Sequence, residues 1–250
     1  MSRAFNGTNQ SLQNGAGSWV TASPWTLAAW VIPSSFAGTP GILGQGTSVS
    51  GTFLSITLST GGALRVSVDG TNVDTSGATA SLNFWNHVAV TYDGTTVKGY
   101  LNGAQGFSTA RTANYSHGVA YAGAVVATGG GAGEFLQGSL AELCNWNVVL
   151  TAAEIAALAT GVPTRYVRPG SLAGYWPLFG LSGTSKEPDL SGSAQNLTLN
   201  NSPAQANHAP LTLFTKKPRS LPDQTVTKPE EFLQRRAYVH LYPDLTPALF

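Results

Sequence analysis

Asn83-Phe-Trp-Asn-His-Val-Ala-Val-Thr-Tyr-Asp-Gly-Thr-Thr-Val-Lys-Gly-Tyr-Leu-Asn-Gly103 reads as two strands joined by a tight turn. Val88, Val90 and Tyr92 alternate with His87, Ala89 and Thr91, the period of a strand with two unlike faces. Asp93-Gly94 is a turn dipeptide, Val97 to Leu101 return as the partner strand, and Asn102-Gly103 turns the chain again. The same grammar extends outward. Thr26-Leu-Ala-Ala-Trp-Val-Ile-Pro33 is a strand ended by proline, and Phe53 to Leu58 and Ala63 to Val68 flank Gly61-Gly62 as a hairpin. One helix is expected. Thr151-Ala-Ala-Glu154 is a capping box, Ile155, Leu158 and Ala159 form an apolar stripe, and Gly161 stands where a C-terminal cap belongs.

At 250 residues the chain can bury one large core, and all-β sandwiches of this size are commonly one domain. A hydrophobic fraction of 42% is that of a globular protein, while only 10% of residues are charged, so Thr, Ser, Asn and Gly do the solvating. The net charge of +1 argues against a nucleic-acid partner, which would call for a basic face. Cys144 is the sole cysteine, which excludes an internal disulfide framework, and its place in a strand fits a small buried hydrophobe. The first residues carry no apolar leader and no run reaches transmembrane length, so the chain is expected to be assembled in a cytoplasm, without a membrane partner.

Several motifs together resemble laminin-G-like domains, the jelly-roll β-sandwiches of the concanavalin A-like lectin and glucanase type. The stretch from Asn83 to Gly103 is the first. Phe5-Asn-Gly-Thr-Asn looks like the opening strand of that family, and Phe135 to Asn147 with the helix after it looks like the penultimate strand and covering helix. Leu172-Ala-Gly-Tyr-Trp-Pro-Leu178 and Asp189-Leu-Ser-Gly192 resemble the closing strands that return beside the N-terminus. The resemblance implies an all-β jelly-roll sandwich over residues 1–209.

Catalytic chemistry is not expected. Glucanases of this fold use Glu-x-Asp-x-x-Glu, and retaining glycosidases need two carboxyls about 5 Å apart; no carboxylates of this chain stand at that spacing. Glu142 alternates with Leu140 and Cys144 and is expected to face one side of a strand alone. The four histidines are scattered, there is no Gly-x-Ser-x-Gly elbow, and His87 reads as a hydrogen-bonded structural group. The family resemblance implies a rim calcium, but Asn6 and Gln10 stand where relatives carry aspartates, which leaves a weakened site or none; Asn6, Gln10 and Asp189 are the candidate ligands. A glycan platform would draw on Trp19, Tyr115 and His117 in three expected loops, the third of them Thr128 to Glu134.

From Pro210 the character changes. Pro210, Pro218, Pro222, Pro229, Pro243 and Pro247 forbid sandwich strands, and ten of the chain's 25 charged residues fall between Leu211 and Phe250. Residues 210–250 are expected to be an extended arm whose anchors are Phe232, Leu233, Tyr238, Leu241, Tyr242, Leu245 and Phe250, with Arg235 and Arg236 pairing acidic groups of a partner. Laminin-G-like sandwiches resemble modules used in virus particles. The first expectation is therefore a non-enzymatic virion protein, a phage capsid decoration (cement) protein or other head or tail component, docked on capsid or tail proteins and homo-oligomeric in the particle. The alternative is a lectin-like module for host or cell-surface glycans. A lectin has no need of an arm, which is what separates the two.

Overall fold

A computed structural model describes residues 1–14, 17–47, 53–114, 118–127, 131–179 and 185–212. Backbone contacts divide the chain into two units, Met1–Leu213 and Phe214–Phe250. The expected arm anchors, from Phe232 to Phe250, lie outside the described residues. No helix among those described is long and apolar enough to cross a membrane.

The first unit is a sandwich of two antiparallel sheets. Its chain opens with β1 (Ser2–Asn6) and β2 (Ser11–Asn14), followed by β3 (Trp25–Pro33) and β4 (Gly41–Gly46). A meander of β5 (Phe53–Leu58), β6 (Leu64–Ser67) and β7 (Asn72–Asp74) leads to β8 (Asn86–Tyr92), β9 (Thr96–Leu101) and β10 (Ala104–Ala110). Then come β11 (Val119–Ala122), the short β12 (Val125–Val126) and β13 (Ala132–Gly133), the long β14 (Gln137–Trp146), and helix α1 (Ala152–Ala159). The unit closes with β15 (Leu172–Trp176), β16 (Lys186–Glu187), β17 (Leu197–Asn200) and β18 (Ala204–Ala206). One sheet runs β10-β9-β8-β3-β14-β1-β18, with β15 also on β14; the other runs β16-β17-β2-β11-β4-β5-β6-β7.

The stretch from Asn83 folds as read. Asp93 Oδ1 accepts from the amides of Thr95 and Thr96 and holds the first turn, and Asn102 and Gly103 take left-handed φ of 51° and 83° in the two-residue loop between β9 and β10. Val88, Val90 and Tyr92 enter the core between the sheets, where they join Trp25, Leu27, Val31, Leu54, Ile56 and Trp176. Ala89 points the other way and is covered by Ile155 and Leu158 of α1, whose capping box at Thr151 and Glu154 is fully formed.

Two expectations change. Leu172 to Leu178 carries β15 on the edge of β14 that β1 also pairs, so it runs up to the N-terminus as expected, whereas Asp189 to Gly192 is a bend and not a strand. Two further strands lie beside the N-terminus, β17 paired with β2 and β18 paired with β1. Glu142 is not alone on its strand face. A bulge between Ala141 and Cys144 puts it at φ +50°, buried among Tyr175, Thr164 and His208. Contacts of the sandwich also run past residue 209, since Thr212 donates its amide to Gly161 O at 2.8 Å and its hydroxyl to Thr160 O at 2.7 Å.

The two outer faces of the sandwich differ, and that positions the site. The first sheet is roofed by α1 and the segment after it. Among the described residues, the second is crossed by the β12–β13 hairpin, which rests on β4, β5 and β11 and has uncovered sheet on both sides.

Candidate functional site

Strand alternation builds the groove floor. Leu54, Ile56 and Leu58 go into the core, so Phe53, Ser55 and Thr57 face out; Leu64 and Val66 likewise leave Arg65 and Ser67 outward. Strand register then lines up Thr57, Arg65 and Asp74 in one row and Ser55, Ser67 and Asn72 in the next. Arg65 and Asp74 form a two-pronged fork, Nε to Oδ1 at 2.7 Å and Nη2 to Oδ2 at 2.8 Å, and the carboxylate holds the guanidinium pKa above its ordinary value. Val125, Val126, Ala127, Gly133 and Glu134 form the facing wall and Thr39 stands at one end, enclosing about 350 Å³. Burial against this wall pushes the Glu134 carboxyl above the usual range, opposed by a hydrogen bond from Thr39 and the charge of Arg65.

Thr57 is the chemically telling member. It is only 2% exposed, lines the groove, and its Oγ1 has no hydrogen-bond partner among the described residues. A buried hydroxyl in that state costs about 1–3 kcal/mol unless something else supplies the hydrogen bond. Beyond the hairpin lies a second, more open compartment of about 480 Å³ lined by Asn9, Ser11, Tyr121, Ala132, Phe135 and Leu199 to Asn201.

The residues singled out by sequence fall elsewhere. Trp19 is no platform. It is 3% exposed, its indole N–H donates to Gly44 O at 3.0 Å, and it meets Trp176 edge-on at 5.2 Å. It belongs to the mouth of the core, where Gln45 clamps Val20 through both backbone groups. Tyr115 and His117 lie outside the described residues, as do Thr128 to Gly130 of the third loop, whose last residue, Glu134, reaches the groove.

Asn6 and Gln10 meet, but on backbone duty: Asn6 Oδ1 accepts from the Thr8 amide at 2.9 Å, and Gln10 Oε1 accepts from the Asn6 amide at 3.0 Å. Asp189 serves a different network, accepting from the amides of Tyr175, Ser191 and Gln195. Oxygens spent in this way on two separate turns do not fit a calcium ion, which wants six or more converging oxygens. Among the described residues no three His, Cys, Asp or Glu side chains come together for a metal. His87 is 2% exposed and stacks edge-on with Trp30 at 5.3 Å; its Nδ1 has no hydrogen-bond partner, contrary to the expectation of a hydrogen-bonded group. Cys144 is 1% exposed, and burial pushes its thiol pKa well up. The groove itself was signalled by Phe53-x-Ser55-x-Thr57 facing Arg65, a polar outward stripe on a hairpin whose other stripe is pure core.

A model of the concanavalin A-like lectin/glucanases superfamily matches residues 6–156, more than half of the chain. The chain belongs to that superfamily. No curated protein sequence matches it. Among solved structures, this superfamily member is similar to a candidate carbohydrate-binding protein from Bacteroides ovatus, with a TM-score of 0.60 and 20% identity over 82% of the chain. The chain spans 61% of that protein's length. It is also similar to the SAP-like pentraxin of Limulus polyphemus, with a TM-score of 0.54 and 20% identity, covering 66% of this chain and 83% of the pentraxin. A third likeness is to CBM40 of the Ruminococcus gnavus IT-sialidase bound to α2,3-sialyllactose, with a TM-score of 0.52 and 14% identity, covering 64% of this chain and 98% of that one. At these identities the likeness shows the jelly-roll fold.

Proposed function

We propose that the chain is a carbohydrate-binding module and that the groove over β5, β6 and β7 holds the saccharide. The observation that carries this reading is a groove that presents the Arg65–Asp74 fork, Asn72 and Ser55 beside Phe53, with the unpartnered Thr57 hydroxyl just beneath its floor. Saccharides satisfy such sites because each ring offers several hydroxyls that donate and accept, together with an apolar face that Phe53 can meet. The fold neighbours support the same class of ligand.

Binding fits better than hydrolysis. Both oxygens of Asp74 are held by Arg65, so that carboxylate is not free to attack or to activate water beside Glu134. The assembly role expected of residues 210–250 rests on anchors from Phe232 to Phe250, outside the described residues, and no observation on the sandwich favours it over glycan binding.

The test is a glycan array probed with the full chain and with Arg65→Ala. Retention on defined saccharides, weakened at least tenfold by the substitution, supports the groove, because a charge-assisted hydrogen bond is worth about 1.5–3 kcal/mol. Equal retention of both proteins would move the site away from it.

A further inference from the structure

Resting on the glycan-binding reading, we infer that the groove takes the end of a saccharide chain and excludes internal stretches of a long polymer. The wall is the reason. Gly41 and Gly44 of β4 lie directly beneath the hairpin: a Cβ on Gly44 would fall 2.5 Å from Val125 Cα, and one on Gly41 would fall 2.6 Å from Glu134 O. Backbone rests on backbone, so nothing can thread under the hairpin. Val126, 3% exposed, packs with Tyr121 and Ala124 on the sheet, with Phe53 against them, and seals the foot of the wall.

Among the described residues the compartments on the two sides share no lining residue, so the hairpin divides them. Passage along β5 is also blocked. At the Thr57 end, the Gly41 amide donates to Glu134 O at 2.6 Å, which ties the start of β4 to the hairpin, and Thr39 lines that end. The groove is a cul-de-sac whose blind end holds the Thr57 hydroxyl next to Arg65. A terminal sugar unit, with hydroxyls that an internal unit has lost to linkages, matches that blind end.

The experiment uses the full chain and the best-retained saccharide of the array as a size series, from trisaccharide to parent polysaccharide, titrated by calorimetry. The expected result is an affinity per molecule that does not change with chain length and one protein bound per polymer chain. Affinity per molecule that climbs in proportion to the number of units, with many proteins bound along each polymer, would overturn end recognition while leaving glycan binding in place. No retention of any saccharide on the array would overturn both.

Discussion

Tyr175 donates its phenolic hydrogen to Glu142, with Oη 2.9 Å from Oε2 and 3.1 Å from Oε1, and Glu142 reaches it from a left-handed backbone at φ +50°. A non-glycine residue held there costs about 1–3 kcal/mol, which the surroundings must offset. They do so by convergence. Thr164 Oγ1 lies 3.1 Å from Oε2 and His208 Nε2 lies 3.3 Å from Oε1, so four separate segments meet on one carboxyl group. Glu142→Ala removes the acceptor from Tyr175 and Thr164 and the carboxylate beside His208, and is expected to destabilise the sandwich by about 3 kcal/mol. Urea unfolding checks this, and an unchanged midpoint would show that the bulge stands without the network.

His87 sets an acid limit. Burial lowers its pKa to about 3 in the fold, against about 6.5 when unfolded. Between those values the unfolded chain binds the extra proton, so this contribution to stability is fully present above pH 6.5 and is lost as pH falls toward 3. The expected slope is up to about 1.4 kcal/mol per pH unit. His87→Phe keeps a ring against Trp30 and should flatten that slope; melting curves across the window measure it.

Thr57→Val separates binding from stability. The swap keeps the shape and deletes a hydroxyl that the fold does not satisfy, so the melting temperature should hold or rise. Saccharide affinity should fall by about threefold to tenfold, the worth of one neutral hydrogen bond. Loss of stability with unchanged affinity would remove Thr57 from the site.

Gly44→Ala probes the wall. The added Cβ meets the Val125 backbone at 2.5 Å, so the hairpin must lift or β4 must shift, at a cost of about 1–3 kcal/mol. Gly38→Ala is the control: its Cβ would meet nothing, although φ there is +72°, so it should report backbone strain alone. Thermal unfolding should place Gly44→Ala clearly below the control.

Truncations locate the edge of the folded unit. Ala209 is buried against Trp30 and Ala141, and Thr212 caps the end of α1 at Gly161. A chain ending at Thr212 is expected to melt with the full-length protein, while one ending at Asn207 should melt lower, having lost His208, Ala209 and Thr212 together. Calorimetric melting of the two distinguishes them.

Much of the sandwich was legible because its signals are local. The Val88–Tyr92 alternation, the Asn102-Gly103 turn and the Thr151–Glu154 capping box each act within a few residues, where dihedral preference and side-chain period decide the outcome. Closing strands were harder. Leu197–Asn200 and Ala204–Ala206 are short and polar, and only pairing with β2 and β1, nearly 200 residues away, makes them strands.

The sequence by itself determined the period, the turns and one capped helix, and the likeness of its motifs to a known family implied the jelly-roll sandwich they build. It could not say which aromatic would be buried or which outward stripe would stay open. Trp19 is buried because Gly44 and Trp176 come to it from distant strands, and Thr57 matters because the β12–β13 hairpin settles on the glycines of β4 and walls it in. Those outcomes depend on contacts between segments far apart in the chain. Loop-closure entropy and close packing choose among them only once the two sheets have met, so the tertiary structure alone decided where a ligand could sit.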